Sequence, residues 1–138
     1  MLSLADAVRH KIQYQSGITN SSTSAAQAFE LGTGVCQDQS HVFLGVARHF
    51  GIPARYVSGY LFVESLPNLA SHAWVDVCVD IEKAKWISID VTHGDFVNDQ
   101  YVRIAVGRDY SSAAPVKGVR SGGGGEELQA RIMIERLN

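Results

Sequence analysis

Cys36, His72 and Asp90 follow one another along the chain and carry the side chains of an activated cysteine nucleophile. A thiol is mostly protonated at neutral pH, but a neighbouring imidazolium stabilises the thiolate and a carboxylate orients the imidazole. Order alone does not establish such a site. A free cysteine is most often a small buried apolar residue, and a histidine or an aspartate is readily satisfied by the backbone. The setting of each residue therefore has to decide between the two interpretations.

Cys36 stands at the predicted start of a helix. Apolar residues recur at helical spacing after Gly34 and stop at Gly51-Ile52-Pro53, and they are Val35, Val42, Phe43, Val46, Ala47 and Phe50. The N-terminus of a helix presents unpaired N–H groups and the positive end of the helix dipole. Such a position favours an anionic sulfur and offers a backbone donor to an oxyanion.

His72 and Asp90 lie in two segments, residues 71–80 and 85–91, that alternate as β-strands do. A hairpin that turns around Ile81 places His72 directly opposite Asp90. The same register pairs Trp74 with Ser88 and Asp76 with Trp86. Directly opposed residues have Cβ atoms about 5 Å apart, so the carboxylate can accept the imidazole N–H and fix its tautomer. The joint placement of the two residues on one face favours a reactive site over two separate structural roles.

Zinc binding is the main chemical rival, because Cys36, His41, His72, Asp90 and His93 are all permissible ligands. Cys36 and His41 are five positions apart on the predicted helix, which rotates them by about 140° from each other. The sequence contains no Cys-x-x-Cys or His-x-x-x-His pair and no acidic calcium-loop pattern. We therefore predict neither a metal site nor a cofactor.

Several segments around these residues carry a family resemblance. They are residues 34–38 with His41, residues 51–60, residues 71–77, Trp86 with Asp90 and Thr92, and residues 102–110 continuing through 114–116. In these segments the sequence resembles bacterial proteins of the transglutaminase-like superfamily, which have a papain-related core, and the resemblance covers nearly all of the chain after about residue 10. It implies that Cys36 is the nucleophile, His72 the general base and later acid, and Asp90 the orienting carboxylate.

The departures from the family pattern are local. Cys78 stands where the family often has an aromatic residue, residues 80–85 replace a Pro-Gly type of turn, and Val91 replaces a proline after Asp90. None of them removes one of the three candidate catalytic residues. They affect the hairpin turn and the rim of the site beside Asp90.

The resemblance also implies a second oxyanion donor near the end of the first helix. Tyr14 is our candidate, with its flanking glutamines as reserves, and an equally open alternative makes Tyr14 an amphipathic residue with its hydroxyl at the surface. Trp74 either walls the cleft or fills the core, and the core is favoured. Gln37 and Asp38 are candidates for ordering the loops around the site. For Asp38 the alternative is that its carboxylate complements the helix dipole.

Length and charge limit the remaining possibilities. A chain of 138 residues suits one domain, residues 1–138, and 12 basic against 14 acidic side chains give a net charge of −2 with no basic patch for nucleic acid. Charged residues interrupt the first ten positions, so we expect no signal peptide, no membrane span and a cytoplasmic protein. Relatives commonly carry a β-rich domain before this core, for which the chain has no room. We expect either a minimal member or part of a longer protein.

Periodicity predicts helices at residues 3–14 and 23–31 and from Cys36 onward, and strands at residues 54–63, 71–80, 85–91, 101–107 and 127–135. Helices followed by strands indicate an α+β fold. Residues 122–125, four glycines, are predicted to turn between the last two strands. If Cys36 lies beside His72, Cys78 lies about 20 Å along the strand from His72, which predicts two free cysteines.

Together these features predict a papain-like, transglutaminase-core fold with helices packed on an antiparallel sheet. The predicted activity is cysteine-dependent acyl transfer on amide or peptide bonds of a peptide or protein substrate, through a thioester. Water is the favoured acceptor, which makes a peptidase or amidase, because a small open domain leaves the thioester near water. Two alternatives remain: an amine acceptor, which makes a transglutaminase, and a noncatalytic binding module that retains the fold.

Overall fold

A computed structural model describes residues 1–64, 71–119, 121–125, 127, 129 and 131–135. In chain order its elements are α1 (Leu2–Lys11), β1 (Gln13–Tyr14), α2 (Ala25–Leu31), β2 (Thr33–Gly34), α3 (Cys36–His49), β3 (Ala54–Leu61), β4 (Ser71–Asp80), β5 (Lys85–Asp90), β6 (Asp95–Phe96), β7 (Tyr101–Gly107) and α4 (Tyr110–Ala113). None of the helices within these described ranges is long and apolar enough to cross a membrane.

Five strands form one antiparallel sheet in the order β6-β5-β4-β3-β7, and α3 packs on it. The core between helices and sheet contains Val42, Phe43, Leu44 and Ala47 from α3 and Ala73, Val75, Val77 and Ile89 from the strands. Apolar residues two apart on a strand share a face, and those at helical spacing share a stripe. Strand β4 buries the face of Ala73, Val75 and Val77 in this core, and its other face is buried as well, at Trp74, Asp76 and Cys78. The predicted α+β fold, with helices on an antiparallel sheet and Cys36 at a helix N-terminus, is confirmed.

The start of α3 is fixed by Asp38, a buried residue in its first turn. Asp38 Oδ2 accepts a hydrogen bond from the Val35 N–H at 2.8 Å and another from the Thr19 hydroxyl at 2.6 Å. Gly34 is required here, because a Cβ at that position would lie 2.6 Å from the same Asp38 oxygen. Asp38 therefore both caps the helix that begins with Cys36 and holds the loop that contains Thr19.

The first helix is shorter than predicted. It ends at Lys11, and Tyr14 lies in β1, a two-residue strand parallel to β2. The N–H groups of Gln13 and Gln15 donate to the carbonyls of Gly32 and Gly34 at 2.9 and 2.8 Å. The amphipathic periodicity of the sequence did not predict this pairing. The short strand forms because a segment twenty residues away pairs with it, and no local pattern indicates that partner. Its effect is to bring Tyr14 close to the start of α3.

The predicted register of the β4–β5 hairpin is wrong by two residues. Asp76 pairs with Ser88 and Cys78 with Trp86, and a bulge lies between Cys78 and Asp80. Residues 81–84 lie outside both strands, as the predicted bounds have them, and Ala84 is in the left-handed region at φ 48°. A shift of two preserves the alternation of faces, so His72 and Asp90 remain on the same face as diagonal rather than directly opposed neighbours.

The predicted strand at residues 127–135 is not present in the part of it that the structure describes. Residues 127, 129 and 131–135 have no regular secondary structure, while residues 128 and 130 lie outside the described residues. The four glycines at 122–125 are exposed, and three of them form a bend. Alternating apolar residues form a strand only where a neighbouring strand accepts their backbone hydrogen bonds. Among the described residues, no neighbouring strand accepts the backbone hydrogen bonds of this segment.

Candidate active site

The structure brings Cys36, His72 and Asp90 together. His72 Nε2 lies 2.6 Å from Asp90 Oδ2, and the side chain of Cys36 is within hydrogen-bonding reach of the same imidazole. Since Nε2 faces the carboxylate, Nδ1 is the ring nitrogen available to the sulfur. The three side chains come from the start of α3, from β4 and from the end of β5, so the α3–sheet packing sets their separation.

Asp90 is completely buried and accepts five hydrogen bonds. Its Oδ1 accepts the backbone N–H groups of Thr92 and His93 at 2.9 and 3.1 Å. Its Oδ2 accepts from His72 at 2.6 Å, from His93 Nδ1 at 2.7 Å and from the Tyr101 hydroxyl at 2.8 Å. The turn after β5 therefore holds one carboxylate oxygen, while the other faces the imidazole.

These contacts set the charge states of the pair. Burial opposes ionisation of Asp90, but the hydrogen bonds from His72, His93 and Tyr101 and the charge of His72 hold its pKa well below the ordinary range. Burial also lowers the pKa of His72, and its hydrogen bonds to Asp90 and Cys36 outweigh that effect and raise it to about 9. His72 is accordingly an imidazolium at neutral pH, next to both an aspartate and a thiol.

A cavity of about 200 Å³ opens beside Cys36 and His72. Its other lining residues are Tyr14, Val35, Gln37, Tyr56, Ser58, Ser71, Ala73, Tyr110 and Pro115. Tyr14 is 59% exposed, and burial together with the nearby Cys36 raises the pKa of its hydroxyl. Two of the predicted supporting residues, Tyr14 and Gln37, thus lie at the cavity that contains the candidate nucleophile.

Trp74 is buried rather than at the cavity wall. It is 1% exposed and does not line the cavity beside Cys36. Its ring centre lies 5.4 Å from that of Tyr101 and 6.3 Å from that of His72. Gly59 on β3 leaves the space for it, because a Cβ there would be 2.6 Å from the indole. Trp74 packs behind His72 and Tyr101, so the core interpretation is the one that its position supports.

Several residues at the site were not selected from the sequence. His93 was considered only as a zinc ligand and as part of a turn, although its spacing from Asp90 places it in the same turn. Tyr101 follows Asp90 by eleven positions and gave no local signal, because it reaches the carboxylate only through the order of the strands. Gln39 is buried in α3 and joins Ile12 to Thr92, at 2.8 and 2.7 Å.

The remaining chemistry-bearing residues have structural partners. Both cysteines are free, as predicted, and Cys78 is buried with its thiol 3.5 Å from the carbonyl of Asp80. Arg55 forms an ion pair, with its Nε 3.0 Å from Asp76 Oδ2. His41 Nε2 accepts the N–H of Tyr110 at 3.1 Å and does not belong to the cluster of His72, Asp90 and His93.

Comparison with known proteins places the chain in a family. The model of the transglutaminase-like superfamily core matches residues 1–91. The chain belongs to the transglutaminase-like superfamily. Among curated relatives, an uncharacterized protein of Mycobacterium leprae is 38% identical over 135 residues, 94% of this chain and 47% of that protein. An uncharacterized protein of Mycobacterium tuberculosis strain H37Rv is 31% identical over 125 residues, 84% and 40% of the two chains. The chain thus spans less than half the length of these relatives.

Two solved structures resemble this transglutaminase-like chain. The crystal structure of a protein from Cytophaga hutchinsonii named "Putative Cysteine Protease" has a TM-score of 0.69 and 34% sequence identity, over 82% of this chain and 37% of that one. Calcium-bound LapG of Legionella pneumophila has a TM-score of 0.59 and 12% identity, over 87% of this chain and 71% of its own. At that identity LapG shows the shared fold alone, and both matches agree with the papain-like architecture.

Proposed function

We propose that this chain is a cysteine-dependent acyl-transfer enzyme that cleaves amide or peptide bonds. The observation that carries the proposal is the 2.6 Å contact between the buried Asp90 and His72, with Cys36 and His72 side by side in the lining of one cavity. The proposal is further supported by membership of the transglutaminase-like superfamily and by the likeness to the Cytophaga hutchinsonii protein, whose name is that of a cysteine protease.

In the proposed reaction, Cys36 Sγ attacks the carbonyl carbon of the scissile amide and the carbonyl electron pair moves onto its oxygen. In this proposal the backbone N–H of Cys36, at the start of α3, donates to that oxyanion, and Tyr14 at the same cavity is the candidate second donor. His72 then gives its proton to the leaving amine, and a thioester on Cys36 remains. Asp90 keeps the imidazolium oriented throughout.

The second half of the proposed reaction regenerates the thiol. His72, now neutral, accepts a proton from the incoming nucleophile as that nucleophile attacks the thioester carbonyl. We propose water as the nucleophile, because the cavity beside Cys36 is bordered by the exposed Tyr14 and Ser71. An amine in place of water would instead make an isopeptide or a substituted amide.

The first test is selective alkylation. Iodoacetamide labelling of the native protein, followed by peptide mass spectrometry, is expected to modify Cys36 at least tenfold faster than Cys78. His72→Ala is expected to lower the rate at Cys36 at least tenfold, while His49→Ala, which alters an exposed histidine at the other end of α3, leaves the rate unchanged. Labelling in denaturant shows whether both peptides are equally detectable.

Reactive protein is then incubated with peptide amides, with and without a primary amine such as cadaverine. A free carboxylic acid as the product in both samples indicates hydrolysis, whereas an amine adduct indicates amine transfer. If Cys36 is as slow as Cys78 in the native protein and His72→Ala changes nothing, the catalytic proposal is wrong and the noncatalytic module becomes the better interpretation.

A further inference from the structure

The carboxylate of Asp90 is shared by two histidines, only one of which the proposed reaction uses. His93 Nδ1 lies 2.7 Å from Asp90 Oδ2, and His72 Nε2 lies 2.6 Å from the same oxygen. The three ligand atoms all lie within 4.8 Å of one another. His93 has a side chain that is 54% exposed, whereas Asp90 is buried and His72 is 11% exposed. One side of this three-residue cluster is therefore open to solvent.

We propose that His72, Asp90 and His93 form a binding site for a zinc ion. Two imidazole nitrogens and one carboxylate oxygen are a ligand set that zinc binds well, and three protein ligands leave a position for water. Calcium and magnesium prefer ligand sets made of oxygen atoms, which the two imidazoles do not provide. The site differs from the one considered from the sequence, since neither Cys36 nor His41 belongs to it.

The surroundings of Asp90 prepare it for such a role. Its Oδ1 is held by the backbone N–H groups of Thr92 and His93, so the carboxylate cannot rotate away. Its Oδ2 also accepts the hydroxyl of Tyr101, the kind of outer hydrogen bond that orients a metal ligand. The turn after β5 and the first residue of β7 thus fix the central ligand, and the two histidines approach it from different elements.

The geometry requires a small adjustment. Ligand atoms at about 2.0–2.1 Å from a tetrahedral zinc are roughly 3.3 Å apart, so each imidazole nitrogen must move away from Asp90 Oδ2 by less than an ångström. The exposed His93 has room to make most of that movement. The zinc ion replaces the protons that now lie between the two nitrogens and the carboxylate oxygen, and those protons pass to solvent.

Zinc at this site is expected to inhibit the chain. It engages His72 Nε2, so the ring keeps its remaining proton on Nδ1 and can no longer accept a proton there or become the imidazolium that stabilises the Cys36 thiolate. That consequence rests on the proposed function, whereas zinc binding itself does not. Inhibition would be relieved when a chelator removes the ion.

Calorimetric titration of Cys36→Ala protein with zinc chloride in metal-free buffer tests the binding without the thiol. We expect one ion per chain, an affinity at least tenfold lower when His93→Asn is added, and no change when His49→Asn is added instead. In ¹H–¹⁵N spectra of the Cys36→Ala protein, zinc is expected to shift the ring signals of His72 and His93 and to leave those of His49. The spectra do not depend on how well the His93→Asn protein folds.

The site is wrong if the Cys36→Ala protein does not bind zinc, if His93→Asn binds it as tightly, or if the ring signals of His72 and His93 do not move. Alkylation of Cys36 in otherwise unmodified protein supplies the functional comparison. Zinc is expected to slow it at least tenfold, and the same zinc concentration to have a much smaller effect with His93→Asn. An unreactive Cys36 with intact zinc binding refutes the proposed function alone, and a reactive Cys36 with no His93-dependent binding refutes the zinc site alone.

Discussion

Asp90 is the residue on which the candidate site depends, because its two oxygens link the end of β5 to β4, to β7 and to the following turn. It remains charged although it is buried, since five donors replace the water that burial removes. The sequence indicated Asp90 and His72 through their shared strand face. It did not indicate Tyr101, because that contact depends on strand order and not on local pattern, and it named His93 only as a permissible zinc ligand.

The protonation of His72 gives a direct prediction. Its ring signals in ¹H–¹⁵N spectra are expected to titrate with a midpoint near 9, as its hydrogen bonds to Asp90 and Cys36 favour the charged ring. Asp90→Asn is expected to move the midpoint below that of wild type by at least one pH unit, because burial then acts with less opposition. Glu82→Gln, which removes an exposed carboxylate in the turn between β4 and β5, serves as the control. An unchanged midpoint in Asp90→Asn would contradict the assigned pair.

The same interaction predicts how stability depends on pH. The pKa of His72 rises from 6.5 to about 9 on folding, so its contribution is fully present below pH 6.5 and is lost as the pH rises through 9. In urea unfolding at pH 6 we expect His72→Gln to be less stable than wild type, and at pH 10 the difference to shrink by on the order of 3 kcal/mol. Equal differences at the two pH values would mean that the ring is not charged in the folded protein.

The role of Tyr14 can be separated from substrate binding. If its hydroxyl stabilises an oxyanion, Tyr14→Phe lowers kcat by about 10²-fold and leaves KM nearly unchanged. Tyr14 is exposed, so its replacement is not expected to unfold the protein. Tyr60→Phe, on β3 and outside the cavity lining, is the matched control. A rise in KM without a change in kcat would assign Tyr14 to binding, and no effect would leave it a surface residue.

At the scale of elements, Gln39 holds together the three segments that surround the site. Its side chain is buried in α3, donates to the carbonyl of Ile12 at 2.8 Å and accepts from the Thr92 hydroxyl at 2.7 Å. Ile12 lies two residues before Tyr14, and Thr92 lies two residues after Asp90. The helix that begins with Cys36 is therefore joined both to the candidate oxyanion donor and to the carboxylate turn.

A double-mutant cycle tests this link. Gln39→Met leaves the Ile12 carbonyl without its partner and is expected to lower the free energy of unfolding by about 1–3 kcal/mol, and Thr92→Val by a smaller amount. The double variant is expected to lose about 1 kcal/mol less than the sum, since both changes break one shared contact. Gln129→Met, at an exposed glutamine, is the control. Strict additivity in urea unfolding would show that the contact carries no energy.

The elements also show where sequence-based prediction reached its limit. Helix α3 and strands β4 and β7 were predicted well, because each carries apolar residues at helical or alternating spacing over its length. The register of the β4–β5 hairpin was predicted wrongly. It depends on a bulge and on the left-handed conformation of Ala84, and an alanine in the sequence does not indicate such a conformation. The pairing of β1 with β2 was missed for a related reason: two residues are too few to show a period.

At the scale of the whole molecule, the sheet and helices leave one small cavity against the candidate nucleophile. Among the described residues that line it, none is an aspartate, glutamate, lysine or arginine. The cavity is bordered by hydroxyl groups and aromatic rings, and its volume is about 200 Å³. A charged substrate side chain placed there would lose water, and the only charged groups that line the described part of the cavity are those of the Cys36–His72 pair, which the proposed reaction itself uses. The position and composition of this cavity follow from the packing of distant segments, which is why the sequence did not predict them.

We therefore expect the proposed acyl-transfer activity to prefer acyl donors with small or medium neutral side chains, by at least tenfold in kcat/KM over acidic or basic ones. A panel of fluorogenic peptide amides that differ only at the residue contributing the carbonyl measures this preference. Ser71→Asp places a carboxylate at the exposed cavity rim and is expected to improve lysine and arginine substrates relative to neutral ones, whereas Ser22→Asp, on a remote loop, does not. If Ser71→Asp leaves the ranking unchanged, the cavity does not bind the acyl side chain, and the substrate must approach Cys36 from the side of Tyr14.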